Sequence, residues 1–367
     1  MGTVGRMTTT DPELDREKIG VFAFLVFSKL EGAVTAGMIH LGDRLGLYGA
    51  LAEADDPLSS VELAARLGLD ERWVREWAYN QGAAKIVAID DEERLSLSPE
   101  AAAVLATPDH PAFGMGSFHH LPQTMATLER LPEAFRSGVG LAYDEHGPEC
   151  AEGIARGFEP WMRANLVDTV LPALHGVVAR LESGCRVVDV GCGAGGVALL
   201  LATTFPASEV QGYDISRHAL DRARERQIEA GVTNAAFLDP RESALRSDGS
   251  VALVTAFDCL HDMTDPASMM RSIRAALSDD GVWLLVDIKA HDTFAVNAAK
   301  NPMASLMYGI SVLSCMSSAL SEPGGAGLGT LGLSAARAEA MARDAGFTRF
   351  RRLDIDHPIN AFYEIRP

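Results

Sequence analysis

Residues 187–196 read VVDVGCGAGG, an apolar run that opens into four glycines behind Asp189. A glycine turn between strand and helix offers backbone N–H groups to a ligand, and two ligand chemistries fit this spacing. Gly191, Gly193 and Gly196 satisfy the dinucleotide fingerprint, while Asp189, Gly191, Gly193 and Gly195 satisfy the turn that cradles S-adenosylmethionine. Charge separates the two. A pyrophosphate needs the positive end of the helix, and a carboxylate just ahead of the turn works against it. S-adenosylmethionine brings an α-ammonium and a sulfonium, and Asp189 can accept from the ammonium directly or through water. Asp214, 25 residues further on, ends the next strand and can accept from two ribose hydroxyls; Asp239 ends the third and can accept from the exocyclic amine of adenine. Taken singly, each of these aspartates reads as a helix N-cap. At three successive strand ends behind one glycine turn, they form a cofactor constellation.

A second candidate lies in FDCLHDMTDP, where His261 follows the fourth strand. Methyl transfer is an in-line displacement in which the protein mainly aligns nucleophile and methyl. A hydroxyl acceptor also needs a base for its proton, and an imidazole titrates near neutrality. The competing role for His261 is packing or helix capping.

These residues need a scaffold. RVVDV, EVQGYD, AAFLD, VALVTAFD and VWLLVD each end in an acidic residue or a small one, and each precedes a helical stretch, which is parallel α/β construction. Ligands on such sheets sit at the carboxyl ends of the strands, here Asp189, Asp214, Asp239, Asp258 and Asp287. The chain has 367 residues, more than one domain usually needs, and a formal charge of −18 that repels nucleic acid and anionic membrane alike. Five cysteines without C-x-x-C spacing suit a reducing cytoplasm and give no metal site. VFAFLVF (21–27) is too short to span a bilayer and predicts a buried helix, and the serine-rich apolar stretch 302–320 predicts a pocket wall. The first eight residues, MGTVGRMT, predict an unstructured end.

Residues 1–105 are expected to form a helical winged-helix domain. Ser59-Ser60-Val61-Glu62 is a capping box, Gly68 stops that helix and Asp70 caps the next, which carries Trp73, Val74 and Trp77; Ile86–Ile89 and Leu95–Leu97 then predict the wing. Between Asp55 and Leu105 eleven acidic residues face five basic ones, a net charge of −6, and the wing tip at 90–93 is wholly acidic. That argues against phosphate contact and for a dimerisation module, with the apolar helices 21–27 and 33–47 as partner surface. Residues 106–180 predict a helical connector that reaches over the site, and 181–367 the cofactor domain. His119 and His120 are adjacent, have no acidic partner at ligand spacing, and read as structural or surface residues.

VVDVGCGAGG, GYDIS, FLD and FDCLHDM in this order resemble the class I S-adenosylmethionine-dependent methyltransferases, and SSVELAARLGLDERWVREW is similar to the dimerisation domain of small-molecule O-methyltransferases. The resemblance implies a Rossmann-like seven-stranded sheet whose last strand, in PINAFYEIR, is antiparallel. It implies cofactor contacts at Ile215 and Phe257, S-adenosylhomocysteine as the by-product, and a cytoplasmic homodimer. It implies His261 as base with Asp287 holding the imidazole's other N–H. Here the chain departs from the family pattern: Met263 replaces a tryptophan, Asp287 is shorter than the family's glutamate, and a second supporting glutamate, due near Gly332, has no counterpart. Phe158, Met162, Met307 and Met316 match substrate contacts, although such a methionine set also reads as plain core. The function expected is methyl transfer to a small molecule, on a hydroxyl oxygen with His261 as base. The alternatives are carbon or nitrogen methylation by proximity alone, and a cofactor-sensing winged-helix regulator.

Overall fold

The structure, a computed structural model, describes residues 14–367, so MGTVGRMT lies outside the described residues. The chain divides into two compact units, one ending at Ser98 and one spanning Pro99–Pro367. The division falls before the expected boundary at 105 and places residues 106–180 in the same unit as 181–367.

The first unit opens on a helix of 29 residues, Arg16–Arg44, capped by Asp15, whose carboxylate accepts from the N–H groups of Glu17 and Lys18. The expectation of a buried helix at Val21–Phe27 is overturned: Phe24 is 78% exposed and its apolar neighbours are likewise open. These residues are contiguous and ring the helix, whereas the unit covers only its later part, at Thr35, Ile39, His40 and Gly42. The length reading is corrected as well, since the whole helix is long and apolar enough to cross a membrane by length and composition. Ser60–Leu67 follows with its capping box complete and Gly68 left-handed, and Asp70 caps Glu71–Ala83. Val74 and Trp77 of that helix are buried, while Trp73 is 80% exposed. The wing is shorter than expected: β1 (Ala88–Ile89) pairs antiparallel with β2 (Leu95–Ser96). Ile86 and Val87 are lost to it because their N–H groups turn back to the Gln81 carbonyl and close the preceding helix.

The second unit is built on β3 (Arg186–Val190), β4 (Glu209–Tyr213), β5 (Ala235–Leu238), β6 (Val251–Phe257), β7 (Leu277–Ile288), β8 (Arg349–Arg352) and β9 (Asn360–Arg366). Their order is β5-β4-β3-β6-β7-β9-β8; β3 to β7 are parallel and β9 runs antiparallel to both its neighbours. All five expected parallel strands form, and β6 is buried along its whole length because helices cover both faces. Val187, Leu253, Leu284 and Phe362 pack on one face, and Val188, Val254, Trp283 and Leu285 on the other. The strand order reverses between β3 and β6, and the crevice at that switch point is where such sheets hold ligands.

Candidate active site

The glycine turn follows β3 and leads into the helix Gly196–Thr204. Gly191, Gly193 and Gly195 have φ of +67°, +53° and +80°, conformations open to glycine at little cost. A Cβ on Gly191 would lie 2.5 Å from the Cβ of Cys259, and one on Gly195 2.8 Å from the Phe237 ring, whereas Gly193 meets nothing within 4 Å. The turn is thus closed toward the protein at two positions and open at the middle one, a cradle that a ligand can enter.

Asp214 shapes that cradle. Its Oδ2 accepts from Gly193 N and its Oδ1 from Ser216 N, both at 2.8 Å, and burial raises its pKa despite those donors. Ile215 is 47% exposed beside it, an apolar surface at the site. Asp189 points elsewhere: its Oδ1 accepts from Thr255 Oγ1 at 2.7 Å, it also accepts from Ala198 N–H, and burial lifts its pKa to about 7. Its oxygens therefore serve the interior and the first turn of the helix rather than the open side of the cradle. Asp239 is clamped by Arg241, whose Nη2 donates at 2.6 Å and whose backbone N–H and Nε donate at 2.9 Å, and this holds its carboxyl below the usual range. The same Nη2 donates to the Ile215 carbonyl at 2.7 Å, so Arg241 ties the second and third strand ends together.

His261 sits on a single turn, Leu260–Asp262, just past β6. Asp258 has φ +48°, which swings the chain sharply out of the strand, and its carboxylate accepts from Asn360 Nδ2. The imidazole is 2% exposed, and its Nδ1 lies 2.7 Å from Asp287 Oδ1 at the end of β7. Burial opposes a charge on His261, but the Asp287 carboxylate outweighs it, and the pKa stands well above 6.5. Burial raises Asp258 and Asp262 to about 7 each, with the Asp287 charge adding to both. The Oδ2 of Asp287 is buried without a hydrogen-bond partner. Where the second supporting glutamate was due, the segment does reach the histidine, but through its backbone: Gly329 N donates to the His261 carbonyl at 3.0 Å.

Residues that the sequence did not single out gather near the strand ends around His261 and Asp214. The Cys315 side chain is within electrostatic reach of the imidazole and adds to the rise of its pKa. Tyr143, whose pKa burial drives up, is within electrostatic reach of Cys150, Asp262, Asp214 and Cys315, and the Cys150 thiol is itself pushed up to about 12 by burial. Asp144 accepts from Ser216 Oγ at 2.9 Å and Arg217 N at 3.0 Å, which seats residues 143–146 on the loop after β4. No local pattern marks these residues; only folding brings the connector to the strand ends.

Of the four expected substrate contacts, Phe158 packs edge-on against Phe257 with ring centroids 5.5 Å apart, at the end of β6. Met162 is 2% exposed and packs with Leu166 and Val197 in the core on one face of the sheet. Met307 is also buried and packs with Ala304 and Leu331, while Met316 is half-buried beside Gly329. The residues around His261 are therefore more polar than a methionine-lined wall. His119 gains through folding the acidic partner its sequence neighbourhood lacks, with Nε2 2.8 Å from Glu149 Oε2. Among the described residues no group of three or more His, Cys, Asp or Glu side chains is placed to hold a metal ion.

Residues 181–346 match a family model described as a methyltransferase domain, and residues 33–107 match one described as the Rv2258c-like winged HTH domain. The ubiquinone biosynthesis O-methyltransferase of Bordetella parapertussis is 35% identical over 103 residues, which are 28% of this chain and 42% of that protein. The chain thus spans less than half the length of that relative. Among solved structures, the mitomycin 7-O-methyltransferase MmcR aligns over 96% of this chain and 100% of its own, with TM-score 0.66 and 18% identity. Human N-acetylserotonin methyltransferase in complex with SAM aligns over 97% and 99%, with TM-score 0.64 and 17% identity. At these identities the likeness is one of fold.

Proposed function

We propose that this chain, a methyltransferase domain carried behind a winged helix–turn–helix domain, is a cytoplasmic S-adenosylmethionine-dependent enzyme that methylates a hydroxyl oxygen of a small molecule. The observation that carries the reading is the buried His261–Asp287 pair at 2.7 Å, set at the switch point beside the glycine turn. The turn fits the cofactor on its own geometry, being open at Gly193 and bordered by Asp214, with Ile215 exposed alongside. Residues Gly191, Gly193, Gly195, Asp214, Ile215 and Phe257 would hold it. Asp189 and Asp239 act one step back, Asp189 on the helix and Asp239 through Arg241.

S-adenosylmethionine supplies an electrophilic methyl on a sulfonium leaving group and departs as S-adenosylhomocysteine. The chain's own residues align the acceptor and take its proton. Asp287 accepts from His261 Nδ1–H and fixes the tautomer, which leaves Nε2 to take the hydroxyl proton. Phe158 and Phe257 form an aromatic corner for a flat acceptor. Methyl transfer from labelled cofactor to phenols and other small hydroxyl compounds tests the reading. A product that loses about 10² or more of its rate in His261→Ala supports oxygen methylation with that base. Undiminished transfer would instead favour carbon or nitrogen methylation by alignment alone.

A further inference from the structure

Glu159, midway along the helix Pro148–Asn165, is 8% exposed, and both its oxygens accept from Arg226: Nη1 to Oε1 and Nη2 to Oε2, each at 2.6 Å. Arg226 Nη1 also donates to the Ala194 carbonyl at 2.9 Å, inside the glycine turn. A parallel fork of this kind fixes geometry as well as charge. A buried ion pair gains little stability over an apolar pair of the same volume, so its place in the fold needs another reason.

The surroundings supply one. A Cβ on Gly196 would lie 2.4 Å from Glu159 Oε1 and 2.5 Å from its Cδ. Gly196, third glycine of the dinucleotide fingerprint, is therefore a glycine that admits this carboxylate. In the same helix turn Asp189 accepts from Ala198 N–H. The start of Gly196–Thr204, near which a dinucleotide's pyrophosphate would seat, is thus flanked by Asp189 and by the Glu159 carboxylate, which Arg226 holds beside Gly196 and which has Arg163 Nη1 3.8 Å away. The neighbour of Glu159 is Phe158, packed on Phe257.

We propose that the Glu159–Arg226 pair is a positioning and specificity device: its carboxylate fills the phosphate seat of the turn, excluding pyrophosphate-bearing nucleotides, and its guanidinium locks the turn and Phe158 into one frame. Arg226 and Glu159 act through the turn and do not contact reacting atoms. The proposal rests on reading the turn as an S-adenosylmethionine site.

Calorimetric titration with S-adenosylhomocysteine and, separately, with ADP-ribose tests it on the full chain, with thermal unfolding as the folding control. The parent is expected to bind the first and not the second. Glu159→Gln is expected to weaken S-adenosylhomocysteine about tenfold or more and to bind ADP-ribose detectably. Gly196→Ala, which displaces Glu159 while leaving both partners in the chain, should weaken S-adenosylhomocysteine equally, and carries the test if Glu159→Gln does not fold. Affinity within about twofold of the parent in both variants overturns the positioning role. A folded Glu159→Gln that still rejects ADP-ribose overturns the exclusion. A parent that binds no S-adenosylhomocysteine overturns the reading of the turn itself, a result distinct from either.

Discussion

An imidazole paired with a buried carboxylate holds its proton tightly, and His261 must lose that proton before it can accept another. Its pKa is raised well above 6.5 because the Asp287 charge outweighs burial. The neutral, accepting form therefore appears only as pH rises through that raised value, and kcat/KM for methyl transfer is expected to climb along a single limb above pH 6.5. Asp287→Asn removes the charge that raises it, so the limb should move to lower pH while the maximal rate falls. A pH–rate profile of parent and variant checks both; a limb that stays in place would remove Asp287 from the argument. At this scale the sequence singled out His261 by its position after the fourth strand, and the resemblance to O-methyltransferases set Asp287 beside it. The sequence held no sign of Tyr143 and Cys150, more than 100 positions before His261, or of Cys315, well after it, which reach the same region only by folding.

Among the elements, the glycine turn makes the sharpest distinctions. Gly195→Ala forces a side chain into φ +80° and against the Phe237 ring, and is expected to cost about 1–3 kcal/mol in a denaturant titration. Gly193→Ala carries φ strain alone, about 1 kcal/mol, because nothing of the protein lies within 4 Å. Its methyl would instead enter the cradle, so S-adenosylhomocysteine affinity should fall by about tenfold or more with little loss of stability. Equal stability losses in the two variants would mean that the turn is not open at Gly193. The turn, the capping box and the five parallel strands were legible because each is written within a few consecutive residues. The wing was overread because Ile86 and Val87 have strand-like side chains, while their N–H groups were already claimed by Gln81.

For the whole molecule, the exposed apolar part of Arg16–Arg44 demands a partner, since an apolar surface of that extent is seldom left in water. We propose that a second copy covers it. Light scattering is then expected to give a dimer, and Phe24→Glu with Phe27→Glu a monomer; a parent soluble only in detergent would point to a membrane instead. The winged-helix unit is not expected to bind duplex DNA with salt-sensitive affinity, because its acidic excess remains and Arg72, Arg75 and Arg94 each have a carboxylate neighbour in Glu76, Glu71 and Glu62. By itself the sequence determined the sheet, the glycine turn and the histidine, since strand periodicity, glycine spacing and charge are local properties of a chain. The tertiary structure decided what surrounds them. Whether an apolar residue such as Met162 is core or wall, whether Val21–Phe27 is covered, and which carboxylate faces the helix end all depend on contacts between distant segments, and those are set by packing and not by spacing.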